Sequence, residues 1–284
     1  MAAQETHALP RCSTVVEAIN VLSELVERQN AGDAPYFRGQ RARYLRSLKR
    51  VEEIRPAPCR ALDIGSHYLH QSVLLSLLGY EVWGIDVELF TTAGFVAERS
   101  KTFNIRNMTV NVLENGDFLK GQEDFFDLVL FTETIEHITF NPIRFWRRVY
   151  ELLSPKGTIY LTTPNSLRPA ALARTLFNMA TFRGIGLPVE EIFQNVTYGH
   201  HWKEYSAREI QKYFRMLSND FGVETSWYSS ELADNNQLKR AIKGILAAVP
   251  CFRSDLEAVI RLSGKTGFSA RIPQLPMHSS GAQK

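Results

Sequence analysis

The hydrophobic positions change their period along the chain. From Ser13 to Arg28 the apolar residues Val16, Ile19, Leu22 and Val26 recur at helical spacing, with Ser13 or Thr14 placed to cap the start. Residues 30–35 are polar and predict a loop. A second helix is predicted from about Arg38 to Ile54, stopped by Pro56 and Pro58. The rhythm then shortens to apolar runs closed by glycine or polar residues. Arg60–Gly65, Glu81–Val87, Met108–Leu113, Phe126–Phe131 and Thr158–Thr163 predict strands. Gln71–Leu78 predicts a helix closed by Gly79. Pro142–Leu153 predicts another, with Ile143, Trp146, Tyr150 and Leu153 on one face and the turn Ser154-Pro155-Lys156-Gly157 after it. Strands alternating with helices imply an α/β fold, a mostly parallel sheet with helices on both faces.

Beyond Pro164 the alternation breaks. Residues 166–198 read as an insertion, partly helical around Ala170–Ala180, before a helix at Ala207–Leu217 and a strand at Val223–Tyr228 rejoin the sheet. Leu238, Ile242, Ile245 and Val249 form an apolar stripe flanked by Lys239, Arg240 and Lys243. It is read as a packed surface helix, with peripheral contact to a membrane or partner as the alternative. The expected division is an N-terminal helical extension (1–56), a core (57–230) carrying the insertion as a lid, and a C-terminal helical extension and tail (231–284).

Composition narrows this little. The 284 residues are 44% hydrophobic and 22% charged, enough for one sizeable α/β core. A net charge of +3 neither demands nor excludes a nucleic-acid partner, although basic residues cluster between Arg38 and Arg50. Cys12, Cys59 and Cys251 are few, odd in number and far apart, which argues against a disulfide framework or cysteine zinc site and for a cytoplasmic protein. Glu5, His7 and Arg11 interrupt any signal-peptide run, and no stretch approaches the ~20 apolar residues of a membrane span.

The candidate chemistry lies at the carboxyl ends of the predicted strands, where ligands bind in open parallel sheets. The first strand runs through Asp63 to Gly65 and Ser66, where glycine lets the backbone approach a ligand. The second ends at Asp86, a carboxylate placed to accept hydrogen bonds from ribose hydroxyls. After the third come Gly116, Asp117 and Phe118, a carboxylate and ring suited to a purine. After the fourth, Glu133, Glu136 and His137 stand at i, i+3 and i+4, so one helical turn would present all three together. A later segment, Tyr198-Gly199-His200-His201-Trp202-Lys203-Glu204-Tyr205-Ser206, adds imidazoles and aromatic rings. Histidine is suited to removing a proton from a hydroxyl at neutral pH, and carboxylates with imidazoles can hold a divalent cation. Trp202 and Tyr205 are read either as a sugar-stacking wall or as packing.

Taken in order, these segments resemble the class I S-adenosylmethionine-dependent methyltransferase family over roughly residues 57–165, and more loosely to 228. The resemblance rests on Ala61-Leu62-Asp63-Ile64-Gly65, Gly84-Ile85-Asp86, Gly116-Asp117-Phe118, Phe126–Val129 running to Glu133–His137, Leu153–Gly157 and Thr163-Pro164-Asn165. It implies a Rossmann-like, seven-stranded sheet and S-adenosylmethionine as cofactor. Asp63, Gly65, Ser66 and His67 would then lie near the methionine portion, Asp86 and Val87 at the ribose, Asp117 and Phe118 at the adenine, and Thr132 and Glu133 near the sulfonium. The chain departs from the family at His67 and Leu69, which stand where further glycines are usual. That departure also argues against a dinucleotide, whose pyrophosphate needs those glycines more.

The Glu-x-x-Glu-His and His-x-x-Glu-aromatic segments resemble two branches. One methylates oxygens of sugars, glycans and natural products. The other methylates the 2′-oxygen of small-RNA ends with a magnesium or manganese ion, and its ligand positions would be Glu133, Glu136, His137 and His201. Gln40–Tyr44 also resembles that branch's entry segment. The leading expectation is O-methylation of a small-molecule or glycan hydroxyl, with His137, His201, Glu133 and Glu136 as catalytic candidates. The alternatives are metal-dependent RNA ribose methylation and a non-catalytic regulatory protein on the same fold.

Overall fold

The computed structural model describes residues 11–194, 196, 199–229 and 248–273. Seven strands form one sheet, β1 (Arg60–Ile64), β2 (Glu81–Asp86), β3 (Arg106–Thr109), β4 (Phe126–Thr132), β5 (Leu153–Pro164), β6 (Phe221–Tyr228) and β7 (Asp255–Leu262), in the order β3-β2-β1-β4-β5-β7-β6. Only β7 runs antiparallel to its neighbours. The mostly parallel, seven-stranded Rossmann-like sheet expected from the sequence is therefore the observed fold. Strand order reverses between β1 and β4, which opens a crevice at their carboxyl ends.

Side chains alternate between the faces with the period of a strand. Leu62, Ile64, Val129 and Phe131 join one buried cluster with helices α6 (Ile143–Leu152) and α9 (Ala207–Leu217). Ala61, Leu128 and Leu130 join the other, with α1 (Val15–Gln29), α2 (Ala34–Ile54), α3 (His70–Leu77) and α5 (Gly94–Thr102), the last preceded by the single-turn α4 (Glu88–Thr91). The N-terminal helices are thus part of the core: Ile19 and Leu22 of α1 and Leu48 and Val51 of α2 are buried beside α3. Thr14 caps α1 by accepting from the Glu17 N–H. α2 begins earlier than its apolar pattern indicated, because Asp33 and Pro35 start it ahead of the first periodic residue.

Three local differences from the sequence reading bear on the site. β3 ends at Thr109 rather than 113, so residues 110–113 turn across the crevice instead of extending the sheet. The expected turn at Ser154–Gly157 lies inside β5, where pairing to β4 jumps from Leu153 opposite Phe126 to Thr158 opposite Leu128 and the residues between bulge outward. Gly157 permits this, because a Cβ there would meet Leu153 Cδ2 at 2.7 Å. Residues 255–262, assigned from sequence to a C-terminal helical extension, form β7 in the interior of the sheet. Seven of those eight are buried, so the run lacks the alternation that marks a strand with one wet face.

The 166–198 insertion contains the expected helix, α7 (Pro169–Ala180), and a further one, α8 (Val189–Gln194). It exposes a run of large apolar side chains, among them Leu176, Phe177, Phe182 and Phe193. Leu238, Ile242 and Ile245 of the apolar stripe lie outside the described residues, as does the end of the tail. Among the described residues no helix is long and apolar enough to cross a membrane.

Candidate functional site

A cavity of about 670 Å³ opens at the crevice between β1 and β4, within the ~300–1,000 Å³ usual for small-molecule and cofactor sites. Asp63, Gly65, Ser66, His67, Asp86, Val87, Thr132, Glu133 and His137 all line it. Gly65 leaves β1 with φ +79°, and a Cβ there would sit 2.6 Å from Thr134 Oγ1, so both conformation and space require glycine. The Gly65 and Ser66 N–H groups donate to the Ile85 carbonyl, tying the loop to β2.

The Asp86 carboxylate is set by that loop. Oδ2 accepts from the His67 N–H at 2.7 Å and Oδ1 from the Val87 N–H at 2.7 Å. Burial raises its pKa, and these two hydrogen bonds oppose the rise. Asp63 lies deeper, accepting from the Ser72 hydroxyl at 2.6 Å, and burial pushes its pKa up to about 7.

Two of the expected cofactor residues are elsewhere. Asp117 is exposed and pairs with Lys120 at 2.6 Å, and Phe118 is buried beside Phe145, with ring centroids 6.0 Å apart. The cause is Arg148 of α6, whose guanidinium holds the Phe118 and Leu119 carbonyls at 2.7 and 2.5 Å and pins that loop under the helix. Because β3 ends early, Val110, Asn111 and Leu113 take that wall of the cavity, joined by Phe140.

The opposite wall comes from α2, whose Tyr36, Arg43 and Tyr44 reach the cavity. Sequence reasoning did not place them there. The signal available was Arg43-Tyr44 within the segment resembling an RNA-branch entry. Among the described residues Arg43 is the only lysine or arginine lining the cavity, and its Nη1 lies 3.3 Å from Glu133 Oε2. Glu133 itself has φ +50°, a strained conformation for a residue with a side chain, and its Oε1 is buried without a hydrogen-bond partner among the described residues. Ser66 Oγ and Gln71 Nε2 at the cavity are also buried without a partner among the described residues.

Glu136, His137 and His201 converge beside this cavity. Their ligating atoms all lie within 4.8 Å of one another. Glu136 is 1% exposed; Oε2 accepts from the Thr163 hydroxyl at 2.9 Å and Oε1 has no hydrogen-bond partner among the described residues. Burial, reinforced by the nearby Glu133, raises its pKa well above the usual carboxylate value. The His137 Nδ1 is 2.9 Å from the His200 carbonyl. A carbonyl only accepts, so Nδ1 carries the proton and Nε2 the lone pair. Burial lowers the His137 pKa, favouring that neutral form. The ring stands 4.9 Å from that of His201, edge to face. Glu133 is not in this group of three: the short helical turn Ile135–His137 begins after it, and its carboxylate faces Arg43 instead.

The segment bearing His201 is held by its backbone. The Trp202 N–H donates to the Glu136 carbonyl at 2.8 Å, and Tyr205 bridges to Asn165 at the end of β5. Glu204 accepts two hydrogen bonds from Arg168, at 2.7 and 2.6 Å, at the root of the insertion. Tyr205 is buried against Tyr213, and neither it nor Trp202 lines the cavity.

The arginines of α2 are engaged within the chain, whereas Lys49 is exposed. Arg38 pairs with Glu27, Arg46 with Glu257 and Arg50 with Glu53 and Glu224, while Arg41 donates to Asn20. Together with Arg43, every arginine of that helix has an internal partner.

A family model described as a methyltransferase domain matches residues 36–217. Solved structures with a similar fold include a protein from Pyrococcus horikoshii OT3, with TM-score 0.51 and 16% identity over 78% of this chain and 90% of that one. A SAM-dependent methyltransferase from Archaeoglobus fulgidus aligns with TM-score 0.50 and 14% identity, covering 81% of this chain and 100% of that one. At such identities the likeness is one of fold. No curated protein matches the sequence.

Proposed function

The chain belongs to the class I S-adenosylmethionine-dependent methyltransferase family, and from that premise we propose that it methylates a hydroxyl oxygen on a sugar, glycan or related small molecule. The observation that carries the oxygen assignment is His137, a half-buried neutral imidazole whose Nε2 lone pair lies at the cavity wall. The cofactor supplies an activated methyl group, so the protein's task is to orient the acceptor and take its proton. His137 is the base in this reading. His201 stands beside it, and the Glu136 carboxyl lies within 4.8 Å of both imidazoles.

The cavity fits the cofactor. Its size, the Gly65 approach and the unpartnered Ser66 Oγ, Gln71 Nε2 and Glu133 Oε1 all call for a polar ligand. Asp86 would accept from the ribose hydroxyls. Arg43, the one guanidinium among the described lining residues, would meet the methionine carboxylate, with Ser66 and Gln71 alongside. Val87 would lie at the ribose, and Val110 and Asn111 would take the adenine position first given to Asp117 and Phe118. Val196 and Gly199 also line the cavity, which supports the insertion as the acceptor lid.

A second reading rests on Glu136 Oε1, a buried carboxylate oxygen lacking a donor. With His137 Nε2 and a His201 nitrogen it would hold a divalent cation such as magnesium or manganese, which lowers the pKa of a bound hydroxyl. That set omits Glu133 from the four positions named from the sequence. RNA as the acceptor gains no support from α2, whose arginines face internal partners.

The test is a turnover screen with labelled cofactor against sugar, phenol, amine and short-RNA acceptors, with and without chelator. Methylation of a sugar or phenol hydroxyl, lost in His137→Ala, is the expected result. Transfer confined to nitrogen acceptors removes the oxygen assignment. Loss of activity on chelation, restored by added manganese, selects the metal reading.

A further inference from the structure

The cofactor loop of this chain carries side chains at two left-handed positions, His67 at φ +48° and Leu69 at φ +61°. Each costs roughly 1–2 kcal/mol relative to glycine, which adopts the same conformation freely. Leu69 has a packing reason, being fully buried in the core on the α2 face of the sheet. His67 has a different environment. Its ring lies 3.7 Å from Tyr68, 4.2 Å from Phe90 and 4.9 Å from Tyr36 between centroids, and all four side chains line the cavity. Tyr36 comes from α2, so this cluster joins the N-terminal helix to the cofactor loop across the cavity wall. Burial lowers the His67 pKa to about 4, so the ring is neutral at physiological pH. Its backbone N–H already holds Asp86, a task glycine performs equally well. Strain retained at a site usually has a functional reason, and here only the side chain is left to provide it.

We propose that His67 is a cofactor-positioning side chain, set not at the methionine portion where the resemblance put it but at the adenosyl portion. Its imidazole, wedged among Tyr36, Tyr68 and Phe90, forms the wall against which the nucleoside rests beside Asp86. The aromatic cluster takes the place of the open glycine loop and narrows the cavity on the α2 side. Contact with a flat, neutral ring suits a nucleoside face. The proposal rests on the cofactor reading above.

Calorimetry with S-adenosylhomocysteine on the full chain tests it, alongside thermal melting of the free protein. His67→Gly should weaken binding about tenfold or more while the melting temperature holds or rises, because the backbone is relieved. His67→Phe keeps a flat ring and should bind within about threefold of the parent. Unchanged affinity in His67→Gly overturns the proposal. So does a fall in affinity accompanied by a lower melting temperature, which marks a merely structural role. Loss in His67→Phe equal to that in His67→Gly overturns the stacking wall. Absence of binding by the unsubstituted chain overturns the cofactor reading itself, a different outcome from any of these.

Discussion

Replacing Asp33 by alanine should destabilise this protein far more than an ordinary polar substitution. Asp33 sits at the start of α2, 3% exposed, with Oδ2 at 2.7 Å from both His70 Nε2 and Arg99 Nη1. Burial alone would raise its pKa, but the hydrogen bonds and charges of His70 and Arg99 outweigh it and hold the carboxyl well below the usual range. Arg99 is itself fully buried, and its other partners are Gln29 Oε1 at 2.8 Å and the Tyr68 carbonyl at 2.9 Å. Removing the carboxylate therefore strands a buried guanidinium without a counter-charge, a change that costs roughly 3–5 kcal/mol. At about 2–4 °C per kcal/mol for a larger domain, melting should fall by roughly 6–20 °C. The same aspartate anchors the helix that carries Tyr36 and Arg43, so affinity for S-adenosylhomocysteine should fall with it. The double substitution Asp33→Ala/Arg99→Met should recover part of the loss, since no unpaired charge remains. Differential scanning calorimetry reads all three. A melting temperature for Asp33→Ala within about 2 °C of the parent would refute the reasoning.

Other expectations follow from single contacts. Gly65→Ala forces a side chain into a left-handed position and against Thr134 Oγ1; it should lose about 1–2 kcal/mol in urea unfolding and most cofactor affinity, and parent-like binding would contradict the close-approach argument. Glu136→Gln should stay within about 1 kcal/mol of the parent, because burial disfavours the charged form of the carboxyl and glutamine keeps the acceptor for the Thr163 hydroxyl, while turnover drops; full turnover would remove Glu136 from the site chemistry. Asp86→Ala should abolish measurable S-adenosylhomocysteine binding by calorimetry, and unchanged affinity would remove the ribose assignment. For pH, the His67 pKa is depressed to about 4 in the fold, so the unfolded chain takes up the proton first as pH falls. Stability from this group is complete above about pH 6.5 and lost towards pH 4, by at most about 3 kcal/mol. Asp63, raised to about 7, acts in the opposite sense, so the readout is parent against His67→Phe in urea midpoints from pH 7 to 4.5; equal slopes would contradict the assignment.

What the sequence determined by itself was whatever its local periodicity encodes. β1, β2, β4 and α9 fall where the short apolar runs and the 207–217 helical pattern place them, because each buries a regular set of side chains. Gly65 and Asp86 were legible for the same reason: they end strands, and strand ends converge in a parallel sheet. The Glu136–His137 pair was legible as spacing, and His201 as its partner through a family pattern. Tertiary structure decided the rest. β7 is buried on both faces, so nothing in its own pattern marked it as a strand between β5 and β6. Glu133 left the cluster because the chain turns through a left-handed residue there, sending its carboxylate to Arg43, ninety positions earlier. Asp117 and Phe118 left the cavity because a guanidinium on α6 caught their loop. Each of these outcomes depends on groups far apart in sequence, and a single chain read in order carries no signal of which distant donor a carbonyl or carboxylate will meet.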